Sequence, residues 1–345
     1  MTDLDKTASD LKTLLAKLVR QKLPRDEMEA AFTVLLSGDA SPEQIAGFIC
    51  ALAARGESVD DVVAGVNVLL SHAKTVSAPQ EAMDIVGTGG DGVGTWNIST
   101  AAALTVAGAG FPVAKHGNVA VSSKSGAAEV LSQLGVNLNT DLVNVQAALD
   151  EAGICFLMAP RHHQVMRHVG PVRAALGFRS IFNMMGPLSN PALVKRYMVG
   201  VYSPDLITPY GEMLQGLGAT HAMVVHGNDG LDEVTTTGPT TAIRLHNGEL
   251  EKMTLHPSDI GLETAKTQDL IGGTPEENAA AMRAILNGAK NAYRDIVLFN
   301  AAVALFGAGH ANDLTSAAAM AASSLDQGLA LAKLDQLVAI TNRGE

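Results

Sequence analysis

The chain has 345 residues, 47% of them hydrophobic and 4% aromatic, with a formal net charge of −11 and a pI near 5.3. This acidic balance argues against nonspecific binding to nucleic acid or to an anionic membrane, since both need a basic surface, and no stretch approaches the ~18 unbroken apolar residues of a membrane span. The length suits a large core and two domains, and the Ala- and Gly-rich composition suits helices packed closely on a parallel sheet.

The N-terminus, MTDLDKTASDLKTLL, is polar and acidic without an apolar signal core, which predicts a cytoplasmic protein. Residues 1–75 read as a small helical domain: Leu11, Leu14, Leu15, Leu18 and Val19 repeat at helical spacing, as do Met28, Ala31, Phe32 and Leu35 after Pro24. Ser41-Pro42-Glu43-Gln44 is a helix start with N-cap, first-turn proline and capping box; its helix ends near Gly56, and another follows to about His72. The apolar faces of these helices predict either an internal core or a contact with a second subunit. Cys50 and Cys155 lie far apart in no metal-ligand spacing and are expected to be buried thiols in a reducing compartment.

From about residue 76 to the end the pattern is α/β. Asp84–Thr100, DIVGTGGDGVGTWNIST, reads as a strand end at Ile85-Val86, a glycine loop at 87, 89, 90, 92 and 94, and a helix start at Ser99-Thr100. Glycines let backbone N–H groups approach phosphate oxygens, and the first helical turn adds partial positive charge. The same letters satisfy the dinucleotide fingerprint, but the acidic residue wanted roughly 20 positions on is absent, since no Asp or Glu occurs from Gly92 to Ala128. Asp91 inside the loop would repel bare phosphate, so a phosphorylated sugar carried with a divalent cation fits better than a nicotinamide cofactor. The competing explanation is a glycine turn that only packs.

Phe111–Ala114 predicts a second strand leading into Lys115-His116-Gly117-Asn118, and Ser122-Ser123-Lys124-Ser125-Gly126 then opens a helix through Leu131. That is either a second anion site with Lys115 beside it or ordinary capping. Ile154–Met158 predicts a buried strand. The histidines 162, 163 and 168 do not share a helix face and lack a third well-spaced ligand, which argues against a metal site. Arg173 beside Pro171 is either a two-donor holder of a planar carboxylate or one end of a surface salt bridge. Strands are expected at Tyr197–Val201 and His221–Val225, with a helix from about Pro204 to Leu217 between them. Asp232-Glu233, just past a strand end, are hard oxygen ligands or a solvated acidic loop. A short β section near 241–245 and helices at about 276–288, 291–308, 313–326 and 328–342 complete the chain.

Four motifs occur together: GTGGDGVGTWNIST, KHGN followed by VSSKSG, PVRAALGFRSIFNMMGPLSNP, and VHGNDGLDEV. With them the chain resembles anthranilate phosphoribosyltransferase over essentially its whole length. The resemblance implies a small N-terminal helical domain, with which helices around 165–190 can pack, and an α/β catalytic domain at 76–345 with a mostly parallel central sheet, the nucleoside phosphorylase/phosphoribosyltransferase type. It implies transfer of phosphoribosyl from phosphoribosyl pyrophosphate to anthranilate in tryptophan biosynthesis, two Mg²⁺ ions per active site, and a homodimer.

By the same resemblance Gly87, Gly90, Asp91, Thr95, Asn97, Ile98, Ser99, Thr100, Lys115, His116, Gly117, Asn118, Ser122 and Ser123 contact phosphoribosyl pyrophosphate. Gly87, Asn118 and Arg173 contact anthranilate, Ser99, Asp232 and Glu233 hold metal, and Lys115, Asp91 and Arg173 carry the catalytic part. Two positions depart from the family: Val119 where a basic residue is usual, and Ala127 where serine is frequent. A pyrimidine nucleoside phosphorylase of the same architecture is disfavoured by Asp232-Glu233 and the KHGN spelling. A noncatalytic nucleic-acid-binding member should be basic and lack Arg173.

Overall fold

The structure is a computed structural model that describes residues 3–119 and 125–344; the expected contacts Ser122 and Ser123 lie outside the described residues. Helices α1 (Asp3–Leu18), α2 (Arg25–Ser37), α3 (Pro42–Arg55) and α4 (Val59–Ser71) come first. They are followed by β1 (Met83–Gly87), α5 (Ile98–Gly108), β2 (Val113–Gly117), α6 (Ala127–Gln133), α7 (Leu142–Ala147) and β3 (Ile154–Met158). Short helices α8 (Ala159–His162), α9 (Gly170–Leu176) and α10 (Ile181–Met185) lead to β4 (Arg196–Gly200), α11 (Ile207–Gly216), β5 (His221–Gly227), β6 (Thr240–His246) and β7 (Glu249–Leu255). Helices α12 (Pro275–Leu286), α13 (Ala292–Gly307), α14 (Leu314–Asp326) and α15 (Leu329–Thr341) end the chain.

Two compact units result. One joins the chain up to Lys74 with Pro160–Pro191, and the other joins Thr75–Ala159 with Ala192 onward. The first is all helical. Its core centres on Phe32, whose ring meets Phe48 and Phe182 edge-on at 5.2 and 6.0 Å, an arrangement that suits the aromatic quadrupoles. Capping boxes at Ser41/Gln44 and Ser58/Asp61 start α3 and α4, and Asp61 also pairs with Arg55 at 2.5 Å. In α4, Gly65 leaves room for Phe32 and Met185, so α10 can settle against it.

The second unit is built on a seven-stranded sheet in the order β3-β2-β1-β4-β5-β6-β7. The first five strands are parallel, and β6 and β7 turn back antiparallel. Helices α5, α13, α14 and α15 form a closely packed layer; α13 is buried continuously from Ile296 to Gly307, where only Asn300 interrupts an otherwise apolar run. Strand β7 was not expected, and its sequence, ELEKMTL, explains why. It is a mostly exposed edge strand whose charges blunt the sheet edge.

Smaller departures are local. The second strand begins at Val113 and carries Lys115, His116 and Gly117 inside it, since Pro112 has no N–H to donate to a ladder. The helix after β4 begins at Ile207, behind a 3₁₀ turn at Pro204–Leu206. Cys50, expected to be buried, is exposed on the outer face of α3, whereas Cys155 is buried in β3.

Candidate active site

Strand order reverses at β1: β2 and β3 lie on one side of it, β4 and β5 on the other. The crevice beyond the carboxyl ends at such a reversal is where open α/β sheets bind ligands. The glycine loop leaves β1 at this point and runs into α5, with Gly89, Gly90, Gly92 and Gly94 at φ of 67, 80, 75 and 70°. This succession of left-handed residues is accessible to glycine and strained for other residues.

Two other glycines make room for an acid. A Cβ on Gly87 would stand 2.5 Å from Asp232 Oδ2, and one on Gly200, at the end of β4, 1.6 Å from the Asp232 carbonyl oxygen. Asp232 is thus threaded between the ends of the two central strands. Its Oδ2 accepts the Gly89 N–H at 2.6 Å, and Glu233 Oε1 accepts the Ser99 N–H at 3.1 Å in the first turn of α5. Asn300, buried in α13, accepts the Val234 N–H at 2.9 Å and donates to the Val234 carbonyl at 2.7 Å, so the turn that carries the acids is fixed from below.

Both acids are buried. Burial, then the nearby Asp91 charge, pushes the Asp232 carboxyl up to about 7. Burial, then the Asp232 charge, holds Glu233 well above the usual carboxylate range, with Lys115 pulling the other way. Lys115, also buried, donates to the Ile85 carbonyl at 2.5 Å and to Ser99 Oγ at 3.4 Å. Burial lowers its pKa, opposed by the charges of Asp84 and Glu233. Asp84 accepts the His116 N–H at 3.1 Å, tying β2 to β1 beyond their Met83–Val113 pairing.

The donor set suits a hard divalent cation carried by phosphate. Such an ion takes one or two carboxylates and completes its shell with phosphate oxygens and water, and Asp232 with Glu233 offers adjacent buried carboxylates whose ionised forms lack a full counter-charge. Among the described residues no three His, Cys, Asp or Glu side chains group around one point, so ligand and solvent would supply the remaining donors.

The structure therefore brings Gly87, Gly90, Asp91, Ser99, Lys115, Asp232 and Glu233 together at one edge of one unit. Ile98 and Thr100 turn their side chains into the core, at 1% and 2% exposure, and leave only backbone for a ligand. His116 is buried, Gly117 ends β2, and Asn118 is exposed, with its Oδ1 accepting the Val119 N–H at 2.8 Å. Arg173 belongs to the helical unit. There its guanidinium lies 5.3 Å from the centre of the Phe182 ring, and among the described residues it forms no ion pair, so a salt bridge does not account for it. Burial lowers its pKa. In the histidine run, His162 and His163 direct a ring nitrogen at the carbonyls of Lys74 (2.6 Å) and Ser189 (2.9 Å).

A brace around the loop's second half was not foreseen. Thr95 bridges to Ile271, Gly272 donates to Gly94 O at 2.9 Å, and Trp96 donates from its backbone to Leu270 O and from its indole to Asp269 O. Trp96 also stacks on Tyr293, ring centres 5.4 Å apart. Thr95 and Asn97, expected as ligand contacts, are therefore also held by residues some 170–200 positions away. The doubled glycine GG at 272–273 was the available signal: a Cβ on Gly272 would meet the Thr95 carbonyl oxygen at 2.7 Å.

Comparison with known proteins gives the same picture. Residues 79–331 match the a/b domain of the glycosyl transferase family, and residues 11–73 match its helical bundle domain. The anthranilate phosphoribosyltransferase of Afipia carboxidovorans is 53% identical, over 96% of this chain and 99% of that protein; the one of Rhodospirillum rubrum is 50% identical, over 99% and 98%. Among solved structures, anthranilate phosphoribosyltransferase from Thermus thermophilus superposes with a TM-score of 0.90 at 39% identity, covering 95% of this chain and 99% of that one. The Saccharomyces cerevisiae enzyme in complex with PRPP and Mg gives 0.88 at 28% identity, covering 96% and 98%. With its glycine loop, buried lysine and paired acids at a strand-order reversal, the chain belongs to the anthranilate phosphoribosyltransferase family.

Proposed function

We propose that this protein transfers the 5-phosphoribosyl group from phosphoribosyl pyrophosphate to the amino group of anthranilate, giving N-(5-phosphoribosyl)anthranilate and pyrophosphate in tryptophan biosynthesis. The observation that carries the proposal is the convergence of the left-handed glycine loop, Lys115 and the Asp232-Glu233 pair at the carboxyl ends of the central strands. In this reading residues 1–75 form the helical domain, joined by Pro160–Pro191, and the rest of 76–345 forms the catalytic one.

The first substrate lies on the loop. Gly87, Gly90, Thr95, Asn97, Ile98, Ser99 and Thr100 present backbone and hydroxyl groups to it, Lys115, His116, Gly117 and Asn118 meet its other side, and the family resemblance adds Ser122 and Ser123 as contacts. Ser99, Asp232 and Glu233 would hold Mg²⁺, two ions in all, which would offset the charge of the leaving pyrophosphate. Asp91 stands where it can accept a ribose hydroxyl or meet the same cation. Lys115, whose ammonium already touches Ser99 Oγ, supplies a fixed positive charge as the bond to pyrophosphate stretches.

Anthranilate is held by Gly87, Asn118 and Arg173. Its aromatic amine is uncharged at neutral pH, so no residue has to remove a proton before attack. The chain's work is positioning and stabilisation of charge in an oxocarbenium-like transition state. The two-donor fork of Arg173 matches a planar carboxylate and would aim the amine at the anomeric carbon. A cytoplasmic homodimer completes the proposal, by family resemblance, and sedimentation and cell fractionation test it.

The deciding experiment follows anthranilate fluorescence after addition of phosphoribosyl pyrophosphate and MgCl₂, with and without chelator. Magnesium-dependent loss of signal with release of pyrophosphate is expected. A steady signal at saturating substrate would overturn the assignment.

A further inference from the structure

Asn97 stands at the N-cap position of α5, yet its side chain makes no capping hydrogen bond. It is engaged elsewhere. Its Oδ1 accepts from Asn278 Nδ2 at 2.8 Å and from Ser125 Oγ at 3.4 Å, and its Nδ2 donates to the Ser125 carbonyl at 3.3 Å. Asn278 is 1% exposed, and its own Oδ1 accepts the Gly273 N–H at 2.7 Å. Tyr293 adds a hydroxyl that donates to the Asn97 carbonyl at 3.3 Å.

These bonds run head to tail with one polarity. A backbone N–H can only donate, so Gly273 requires the oxygen of the Asn278 amide on its side and directs the nitrogen at Asn97. That nitrogen requires the oxygen of Asn97 in turn. The nitrogen of Asn97 then faces Ser125 O, a group that can only accept. Amide orientations that are interchangeable in isolation are thus dictated from both ends, and each bond polarises the next.

We infer that Asn278 is a positioning residue for the phosphoribosyl pyrophosphate site, linking the Gly272-Gly273 turn through Asn97 to Ser125 so that the glycine loop and Ser125 keep one spacing. The inference rests on the function proposed above. Asn278 lies on α12, more than 180 residues from the glycine loop in sequence, and acts only through Asn97.

Asn278→Asp keeps the shape and reverses the polarity of one bond, placing oxygen against the Asn97 oxygen. Asn97 must then rotate and surrender its bond to Ser125 O. Asn278→Ser removes both bonds without adding charge and serves if the aspartate variant does not fold. Trp96, the sole tryptophan, sits beside Asn97 and reports the state of the loop by its fluorescence. Phosphoribosyl pyrophosphate with MgCl₂ is titrated into each protein, and KM is measured for both substrates.

We expect about a tenfold weaker response to phosphoribosyl pyrophosphate and a matching rise in its KM, with the anthranilate KM and the cooperative melting transition retained. A variant that melts cooperatively and binds phosphoribosyl pyrophosphate as tightly as the unsubstituted protein would overturn the inference, as would an equal rise in both KM values. The unsubstituted protein in the same series isolates the premise: if it fails to bind phosphoribosyl pyrophosphate, the proposed function falls and takes this inference with it.

Discussion

Replacing Gly200 by alanine adds one methyl group at the place where two central strands and the acidic turn meet. The new Cβ would lie 1.6 Å from the Asp232 carbonyl oxygen and 2.4 Å from its carbonyl carbon. Both are backbone atoms, so no rotamer change relieves the overlap. The contact must open by at least about 1.4 Å to reach the 3.0 Å below which Cβ contacts essentially do not occur. Gly200 is held by β1 on one side and β5 on the other, whereas Asp232 sits on a turn, so the turn is the part that yields. Displacement by 1 Å or more of a group that organises a site costs on the order of 100-fold, and overpacking of this kind costs ~1–3 kcal/mol in stability. Steady-state kinetics on Gly200→Ala should show kcat/KM for phosphoribosyl pyrophosphate down about 100-fold or more, with the melting temperature lowered by several degrees. A variant with unchanged kcat/KM and melting temperature would refute the argument that Asp232 is threaded between the strand ends.

Three other outcomes follow from the site. Arg173→Ala should raise the anthranilate KM far more than that for phosphoribosyl pyrophosphate; equal effects on both would remove its assigned role. Val119 is 45% exposed and stands where the family usually has a basic residue, so Val119→Arg should lower the phosphoribosyl pyrophosphate KM severalfold by adding a charge-assisted bond to phosphate; an unchanged KM would show that this position does not reach the ligand. The third concerns pH. Burial pushes the folded Asp232 carboxyl up to about 7, from an ordinary value of 3.8, so between those limits the folded protein binds more protons than the unfolded chain. Its contribution to stability is then fully present below the lower value and is lost as pH rises through about 7. Denaturant titrations without metal should show Asp232→Asn losing less stability than the parent between pH 5 and pH 8. A steeper loss in the variant would contradict the sign.

What could be read from the chain, and what could not, divides along sequence distance. Helices α12 to α15 announce themselves by caps and apolar runs, and α13 begins with the Asn291 cap that its sequence advertises. The glycine loop was legible because its chemistry is contiguous. Asp232-Glu233 could be marked as oxygen donors, but their bonds to Gly89 and Ser99 could not, since β4 and β5 must first bring them within reach. The return of Pro160–Pro191 to the helical unit was expected only from the family resemblance, because its helices are too short to show a period of their own. Asn278 and Tyr293 read as ordinary positions on Ala-rich helices; only the fold shows what they touch. Gly87 was ambiguous for a different reason, since a glycine signals that something comes close without saying whether it is substrate or the protein itself.

The amides of Gly89 and Ser99 are taken, in the resting protein, by the protein's own acids. If the loop takes phosphate as proposed, Asp232 and Glu233 hold the seats that an incoming phosphate would want. A bare anion gains little by evicting them, because it leaves two displaced, buried carboxylates beside its own charge. An anion escorted by a divalent cation brings the counter-charge those carboxylates need, and eviction then becomes favourable. On the proposed function, free phosphate and sulfate would be turned away by the same two residues that would receive the metal-laden substrate, a selectivity that penalises the wrong visitor as much as it rewards the right one.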